Sequence, residues 1–226
     1  MPDQSVLGAR ALPATSRPAA VAACLVAVLA LAGCSTWGGF ARPHPGQLRQ
    51  RPEVPVGTAR AKLHLSRRSG DAPPRMLLFH VTGDSGWHGL DPLYVEAMTA
   101  RGYALAGVSA RALCADLDAS GGARATAARA AEDYLALIAT AEARLRLAPG
   151  TPIVITGLSR GAGLAVVTAS QPALARRIAG VLLMGLTGVE DYVRPKVDLF
   201  TLLGRIDGPL VLLQSIVDRY VPAAEA

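Results

Sequence analysis

The chain has 226 residues, a formal net charge of +6 and only 4% aromatic residues. Its arginines are scattered along the sequence rather than gathered into a basic stripe with interleaved aromatic residues, so the composition argues against a nucleic-acid-binding protein. The sequence shows no cluster of histidine and cysteine at metal-ligand spacing and no cofactor motif, so we expect neither a metal nor a cofactor.

The N-terminal segment has the features of a processing signal. Two arginines precede an apolar run over residues 19–32, which is too short to span a bilayer comfortably and fits the core of a signal peptide. The run ends in Leu-Ala-Gly-Cys at residues 31–34, which resembles a bacterial lipobox, and Ser35 follows. We therefore expect a signal peptide over 1–33, with Cys34 lipidated at the outer membrane and the protein facing the periplasm. An ordinary secretory signal or an uncleaved anchor is the alternative.

The rest of the chain divides into a predicted linker and one domain. Residues 34–61 are polar and rich in proline, which indicates a flexible linker, and residues 62–226 form the predicted domain. In that domain apolar strands alternate with helical patterns, which predicts an α/β fold with a doubly wound, mostly parallel sheet. The predicted strands are 62–66 at an edge, 75–82, 103–109, 152–158, 178–186 and 209–215; the predicted helices are 90–101, 123–147 and 160–170.

The most informative segment is a strand that runs into Gly-x-Ser-x-Gly at residues 157–161 and is followed at once by a small-residue helix. This order is typical of a nucleophile elbow, a strained turn that exposes a serine, here Ser159. Gly157 and Gly161 suit it because side chains two residues before and after the serine would collide. A plain glycine-rich turn is the alternative. A dinucleotide-binding loop is disfavoured because the glycine order is wrong and no acidic residue follows at the required distance.

Three segments carry a family resemblance. Residues 79–91 (FHVTGDSGWHGLD), 157–162 (GLSRGA) and 214–222 (QSIVDRYVP) resemble the signatures of the α/β-hydrolases, and more narrowly those of bacterial virulence proteins of the VirJ type. The resemblance implies a periplasmic hydrolase of aminoacylated phosphatidylglycerol, a membrane phospholipid. The chain departs from the pattern at Ser85, where glycine is usual, and at Gly163, where the family tends to have aspartate.

The residues also supply an oxyanion hole, the pair of N–H groups that stabilises the negative oxygen of the reaction intermediate. In an elbow of this kind the first donor is the backbone N–H that follows the nucleophile, here that of Arg160. The second comes from the loop over residues 82–87, where we select Asp84. Gly83 in that loop is expected to let the backbone approach a substrate closely. A simple turn is the alternative reading of the loop.

A serine nucleophile also needs an orienting acid and a base. Asp218 follows the last predicted strand, as the order Ser, Asp, His requires, and Asp191 and Asp207 are alternatives. No histidine follows Asp218. The sequence therefore predicts a hydrolase fold that lacks its C-terminal strand and helix, so that the chain is either truncated or has lost its triad.

The four histidines of the chain all precede Ser159. We expect His44 in the linker, His64 exposed on a strand and His80 in the core with its polar atoms satisfied. His88 follows the oxyanion loop and is the one candidate for a substitute base. Two functions remain open: a membrane-anchored periplasmic serine hydrolase that cleaves an ester, or a catalytically inactive binding or scaffold protein on the same fold.

The lipobox predicts that Cys34→Ser changes where the protein is found. Without the thiol no lipid can be attached, so we expect the variant to leave the membrane fraction while the parent stays in it. Mass spectrometry of the N-terminal peptide checks the modification directly. Identical partition of the two proteins would contradict lipidation.

Overall fold

The computed structural model describes residues 47–57, 59–70, 72–119, 126–190 and 197–214. Eleven strands and six helices occupy these ranges. The strands are β1 Gln47–Gln50, β2 Glu53–Val56, β3 Ala59–Lys62, β4 His64–Arg68, β5 Leu77–Val81, β6 Ala104–Val108, β7 Ile153–Leu158, β8 Gly180–Met184, β9 Val189–Glu190, β10 Val197–Asp198 and β11 Leu210–Leu213. The helices are α1 Leu90–Ala100, α2 Ala110–Ala119, α3 Ala127–Leu145, α4 Arg160–Ala169, α5 Pro172–Ala175 and α6 Leu199–Leu203.

Seven strands form the main sheet in the order β1-β4-β6-β5-β7-β8-β11. The five strands from β6 to β11 in that order run parallel, and β4 and β1 pair antiparallel at one side. The central strands β5 and β6 are buried along their whole length. Strands covered on both faces read as continuous apolar runs, and this is why the sequence predicted a doubly wound α/β sheet. The structure confirms that fold class.

Alternate residues of the central strands face different layers. Leu77, Phe79 and Val81 of β5 belong to the main hydrophobic cluster, together with residues of α3 and α4. The intervening His80 lies outside that cluster, and α1 packs against β4 and β6. The sheet is therefore covered by helices on both faces. Because parallel strands end at the same edge, the turns after β5 and β7 lie side by side.

The structure differs from the expected linker over 34–61. Within it, β1 joins the main sheet through β4, and β2 pairs with β3. Val54, Val56 and Ala61 of this hairpin are buried in the main core. The strand predicted at an edge over 62–66 corresponds to β4, which is not an edge strand because it lies between β1 and β6.

The helices were predicted less completely than the central strands. The predicted helix 123–147 corresponds to α3, which begins after Thr126; the Thr126 side chain accepts a hydrogen bond from the Arg129 N–H at 3.1 Å and so caps the helix. A separate helix, α2, precedes it, and the short elements α5, β9, β10 and α6 were not predicted. None of the helices in the described ranges is both long and apolar enough to cross a bilayer.

The packing predicts a large difference between two leucine-to-alanine substitutions. Leu137 of α3 is fully buried, whereas Leu90 of α1 is 57% exposed. We expect Leu137→Ala to lower the free energy of unfolding by about 2–5 kcal/mol, since it leaves a cavity in the core. Leu90→Ala should change it by less than about 0.5 kcal/mol. Urea unfolding measures both, and equal effects would contradict the described packing.

Candidate active site

Ser159 occupies a strained turn between β7 and α4. Its backbone angles are φ 52° and ψ −119°, a region that residues other than glycine rarely adopt and that costs about 1–3 kcal/mol. The Ser159 N–H donates to the carbonyl oxygen of Met184, at the end of β8, at 2.8 Å. The side chain is partly exposed. The neighbouring strand thus holds a strained serine at the carboxyl edge of the sheet.

Only glycine fits two residues before and two residues after this serine. A Cβ on Gly157 would lie 2.4 Å from the carbonyl oxygen of Gly161, and a Cβ on Gly161 would lie 2.2 Å from the carbonyl oxygen of Val81. Both obstacles are backbone atoms, which cannot rotate away as a side chain can. The two glycines therefore let α4 begin directly against the end of β5.

The loop over residues 82–89, between β5 and α1, lies against the nucleophile. A Cβ built on Gly83 would be 3.5 Å from the Ser159 Cβ, an ordinary van der Waals distance. Within the loop, Gly86 has φ 79° and its N–H donates to the Gly83 carbonyl oxygen at 3.1 Å. The conformational need for glycine is therefore at Gly86 and at Gly89, which has φ 56°, whereas a methyl group on Gly83 would meet only ordinary van der Waals contacts.

An ion pair joins the two predicted oxyanion residues. The Arg160 Nε lies 3.1 Å from the Asp84 Oδ1; the Asp84 side chain is exposed and that of Arg160 is partly exposed. An exposed pair of this kind adds little stability, about 0–1 kcal/mol. It does bring the loop and the first residue of α4 together beside Ser159. The sequence did not predict this contact.

The candidate acids are separated by strand direction. Asp207 precedes β11, which runs parallel to β8 and β7. Asp207 therefore lies at the amino end of the sheet, whereas Ser159 follows the carboxyl end of β7, and the alternative role for Asp207 is wrong. Asp218 and Asp191 lie outside the described residues, as does Cys34.

Two of the histidines belong to packed structure. His80 is buried, with its Nδ1 2.9 Å from the Thr156 Oγ1 and its Nε2 3.1 Å from the Asp91 Oδ1, which confirms the expectation of a satisfied core histidine. His64 is not exposed as expected: its ring stacks on Trp87 with centroids 4.0 Å apart. Burial, with smaller effects from Arg51 and Lys62, lowers the pKa of His64 to about 4.

His88 has an exposed side chain, and its backbone N–H donates to the Asp91 Oδ2 at 2.9 Å. Across the described ranges, no histidine forms a hydrogen bond with Ser159. His44 lies outside those ranges. Within them, no group of three or more histidine, cysteine, aspartate or glutamate side chains is arranged to hold a metal ion.

Comparison with known proteins identifies the fold. The chain matches no family model and no curated protein. Solved structures do match: a dienelactone hydrolase-like promiscuous phosphotriesterase from metagenomic libraries has a TM-score of 0.58 at 13% identity, over 80% of this chain and 74% of that one. A cold-adapted esterase from an Arctic intertidal metagenomic library has a TM-score of 0.58 at 14% identity, over 84% and 80%.

An acylaminoacyl peptidase from Pyrococcus horikoshii has a TM-score of 0.60 at 13% identity, over 80% of this chain but only 34% of the peptidase. At these identities the likeness concerns the fold. The chain has the α/β-hydrolase fold, as expected from the elbow and the strand order. The narrower resemblance to the VirJ type has no support from these matches.

The glycine contacts predict that Gly161→Ala is severely damaging. The added methyl group meets the backbone of Val81, so we expect the free energy of unfolding to fall by roughly 3 kcal/mol, the upper range for overpacking. Gly204→Ala is the matched control, because Gly204 has φ −66° and its nearest obstacle is 3.7 Å away. Chemical denaturation compares the two. A Gly161→Ala protein as stable as the control would show that the start of α4 is not in close backbone contact with the end of β5.

Proposed function

We propose that this protein is a serine ester hydrolase with Ser159 as the nucleophile. The observation that carries the proposal is the backbone of Ser159, held at φ 52° and ψ −119° between two glycines that admit no side chain. Such strain persists only where surrounding structure enforces it, and it is concentrated at functional sites. An inert turn at this position would need neither the strain nor the two close backbone approaches.

The proposed reaction is acyl transfer through the serine. The Ser159 Oγ attacks the ester carbonyl carbon as its proton passes to a base, and the carbonyl oxygen becomes an oxyanion. The backbone N–H groups of Arg160 and Asp84 are the proposed donors to that oxygen. The intermediate collapses with loss of the alcohol, which takes up the proton, and water then hydrolyses the acyl-enzyme by the same steps.

Asp218 is the proposed orienting carboxylate. It follows β11 by a few residues, and β11 is parallel to β7 through β8, so the chain leaves β11 at the same edge of the sheet as Ser159. In the fold this acid orients a histidine base. Strand direction therefore favours Asp218 over Asp207 as the orienting carboxylate.

We also propose a location and a substrate for this activity. We propose a protein anchored by lipid at Cys34, facing the periplasm at the outer membrane, that cleaves an ester of aminoacyl-phosphatidylglycerol. The lipobox resemblance supports the first part, and the signature over 79–91 supports the second. An enzyme held at a membrane surface is suited to a phospholipid substrate, since both are confined to the same plane.

The second candidate is a binding or scaffold protein that performs no turnover. The observation that favours it is that two of the three described histidines are engaged elsewhere: His80 is bonded within the core and His64 is stacked on Trp87, while the exposed His88 side chain forms no hydrogen bond with Ser159. A serine without a base is a weak nucleophile. The two candidates share one fold and differ in chemistry, so a probe of the serine separates them.

A fluorophosphonate probe should label Ser159, slowly if no histidine serves as base. We expect labelling to disappear in Ser159→Ala and to persist in Ser170→Ala, whose hydroxyl donates to the Val167 carbonyl oxygen at the far end of α4. An oxyanion hole without a complete triad still retains roughly 10³–10⁴-fold catalysis over water. Gel fluorescence and peptide mapping measure the adduct.

Release of the amino acid from aminoacyl-phosphatidylglycerol in vesicles, followed with the same variants, tests the substrate. Labelling that survives Ser159→Ala, or its complete absence from the parent, would favour the scaffold protein. Labelling with hydrolysis of simple esters but not of the phospholipid would leave the serine hydrolase and remove the proposed substrate.

A further inference from the structure

We propose that the buried side chains of Thr156, His80 and Asp91 form a positioning unit that fixes the loop between β5 and α1 relative to Ser159. This loop, residues 82–89, contains the predicted oxyanion segment 82–87 and is called the oxyanion loop from here on. This inference rests on the proposed function, because it concerns the loop that supplies the second oxyanion donor. None of the three side chains touches the reacting atoms, so each would act through the loop.

The unit is a continuous chain of hydrogen bonds. The Thr156 Oγ1 lies 2.9 Å from the His80 Nδ1, and the His80 Nε2 lies 3.1 Å from the Asp91 Oδ1. The other carboxylate oxygen of Asp91 accepts from the His88 N–H at 2.9 Å. The chain therefore runs from the nucleophile strand β7, across β5, to the backbone at the far end of the oxyanion loop.

Proton positions follow from the acceptors. A carboxylate oxygen only accepts, so a hydrogen bond from the ring to a carboxylate at Asp91 requires a hydrogen on the His80 Nε2. In a neutral ring the Nδ1 then accepts the hydroxyl hydrogen of Thr156. Each polar atom along the path has a partner, and the path leaves Asp91 with one oxygen for the ring and one for the loop.

The sheet register places the unit beside the elbow. His80 pairs with Thr156 across β5 and β7, one position before the pair of Val81 with Gly157. Thr156 precedes Ser159 by three residues. The same two strands thus carry the unit and, immediately after it, the nucleophile and the start of the oxyanion loop.

Burial makes this arrangement costly unless every bond is formed. His80 is 2% exposed, Asp91 is 4% exposed and Thr156 is fully buried. Loss of one hydrogen-bond partner by a buried carboxylate is strongly unfavourable. The loop therefore cannot move away from the unit without leaving the Asp91 carboxylate buried with an unsatisfied oxygen. Because of this cost, the hydrogen-bonded unit holds the loop more rigidly than an apolar contact of the same size would.

Trp87 supplies a second attachment of the same loop. A Cβ on Gly107 would lie 2.1 Å from the Trp87 ring, so the indole occupies the space that a side chain at position 107 would need. The ring also stacks on His64 at an interplanar angle of 14°, and it forms a T-shaped pair with the His80 ring, with centroids 6.3 Å apart. The loop is therefore fixed at two neighbouring residues: the hydrogen-bonded unit holds the backbone of His88, and the packing of the indole against Gly107 holds Trp87.

Loop position matters because an oxyanion donor acts over a narrow range of distance. A displacement of about 1 Å can cost about 10²-fold in rate. We expect Asp91→Asn, which replaces one acceptor by a donor, and Thr156→Val, which removes only the hydroxyl, to release the loop. Gly107→Ala should do the same by expelling the Trp87 ring, with all three hydrogen-bonding side chains intact.

Glu96→Gln is the matched control. Glu96 is a buried carboxylate on the same helix as Asp91, at 8% exposure, but its ion-pair partner is Arg49 at 3.9 Å, outside the loop. It reports what loss of a buried charge on α1 does in general. If Asp91→Asn does not fold, Thr156→Val, the mildest of the changes, tests whether the unit positions the oxyanion loop.

Two readouts are taken on the full chain. The chain has two tryptophans, so in a Trp37→Phe background the emission and acrylamide quenching of Trp87 report the loop without any need for activity. The maximal rate of fluorophosphonate labelling, separated from probe binding by its concentration dependence, reports the oxyanion hole. We expect a red shift, stronger quenching and about 10²-fold slower labelling in the three loop variants, with little change in Glu96→Gln.

A red shift without slower labelling, slower labelling without a red shift, or equal effects in Glu96→Gln would each overturn the positioning role. Failure of the proposed function looks different, because the parent itself would then show no Ser159-dependent labelling. In that case the catalytic part of the inference falls with it, and the Trp87 emission still decides whether the unit holds the loop.

Discussion

The contact between Gly161 and the backbone at the end of β5, where the oxyanion loop begins, determines most of the site. Because Gly161 has no side chain, the start of α4 reaches the carbonyl oxygens of Val81 and Thr82, which would be 2.2 and 2.5 Å from any Cβ. This close approach leaves β7 and α4 joined by a single residue, and Ser159 takes the strained backbone that the junction requires. The oxyanion loop begins at Thr82. One contact between backbones therefore sets the position of the nucleophile and of the loop that faces it.

The polar groups beside this contact follow from the same strand register. With Val81 opposite Gly157, His80 is opposite Thr156, and both polar side chains lie on the face of the sheet that α1 covers. A slip of either strand by one residue would send its polar side chain to the other face of the sheet, into the main apolar cluster. Their burial next to Asp91 therefore supports the register, and the register aligns the elbow with the loop. Stability and the proposed chemistry depend here on the same pairing of β5 with β7.

The sequence predicted what local patterns encode and missed what depends on partners far along the chain. The elbow and the buried strands were predicted because their residues constrain the backbone directly. The strands β1–β3 were taken for linker because they are short, polar and interrupted by proline; their burial depends on Val54, Val56 and Ala61 meeting the core. Asp207 remained a candidate acid until strand direction placed it at the wrong edge. His80 and Thr156 gave a usable signal, a polar residue at matching depth in two neighbouring apolar strands, but Asp91 could not be joined to them without the fold.

The proposed chemistry requires that Ser159 forms a covalent bond with the carbonyl carbon of an ester. The most direct measurement is peptide mass spectrometry after acid quenching of a reaction with an activated ester such as p-nitrophenyl acetate. If Ser159 is the nucleophile, an acyl group appears on the peptide that contains Ser159, in proportion to the p-nitrophenol released in the first turnover. An acyl group on any other residue, or release of p-nitrophenol with no acylated protein at any time after mixing, would contradict it.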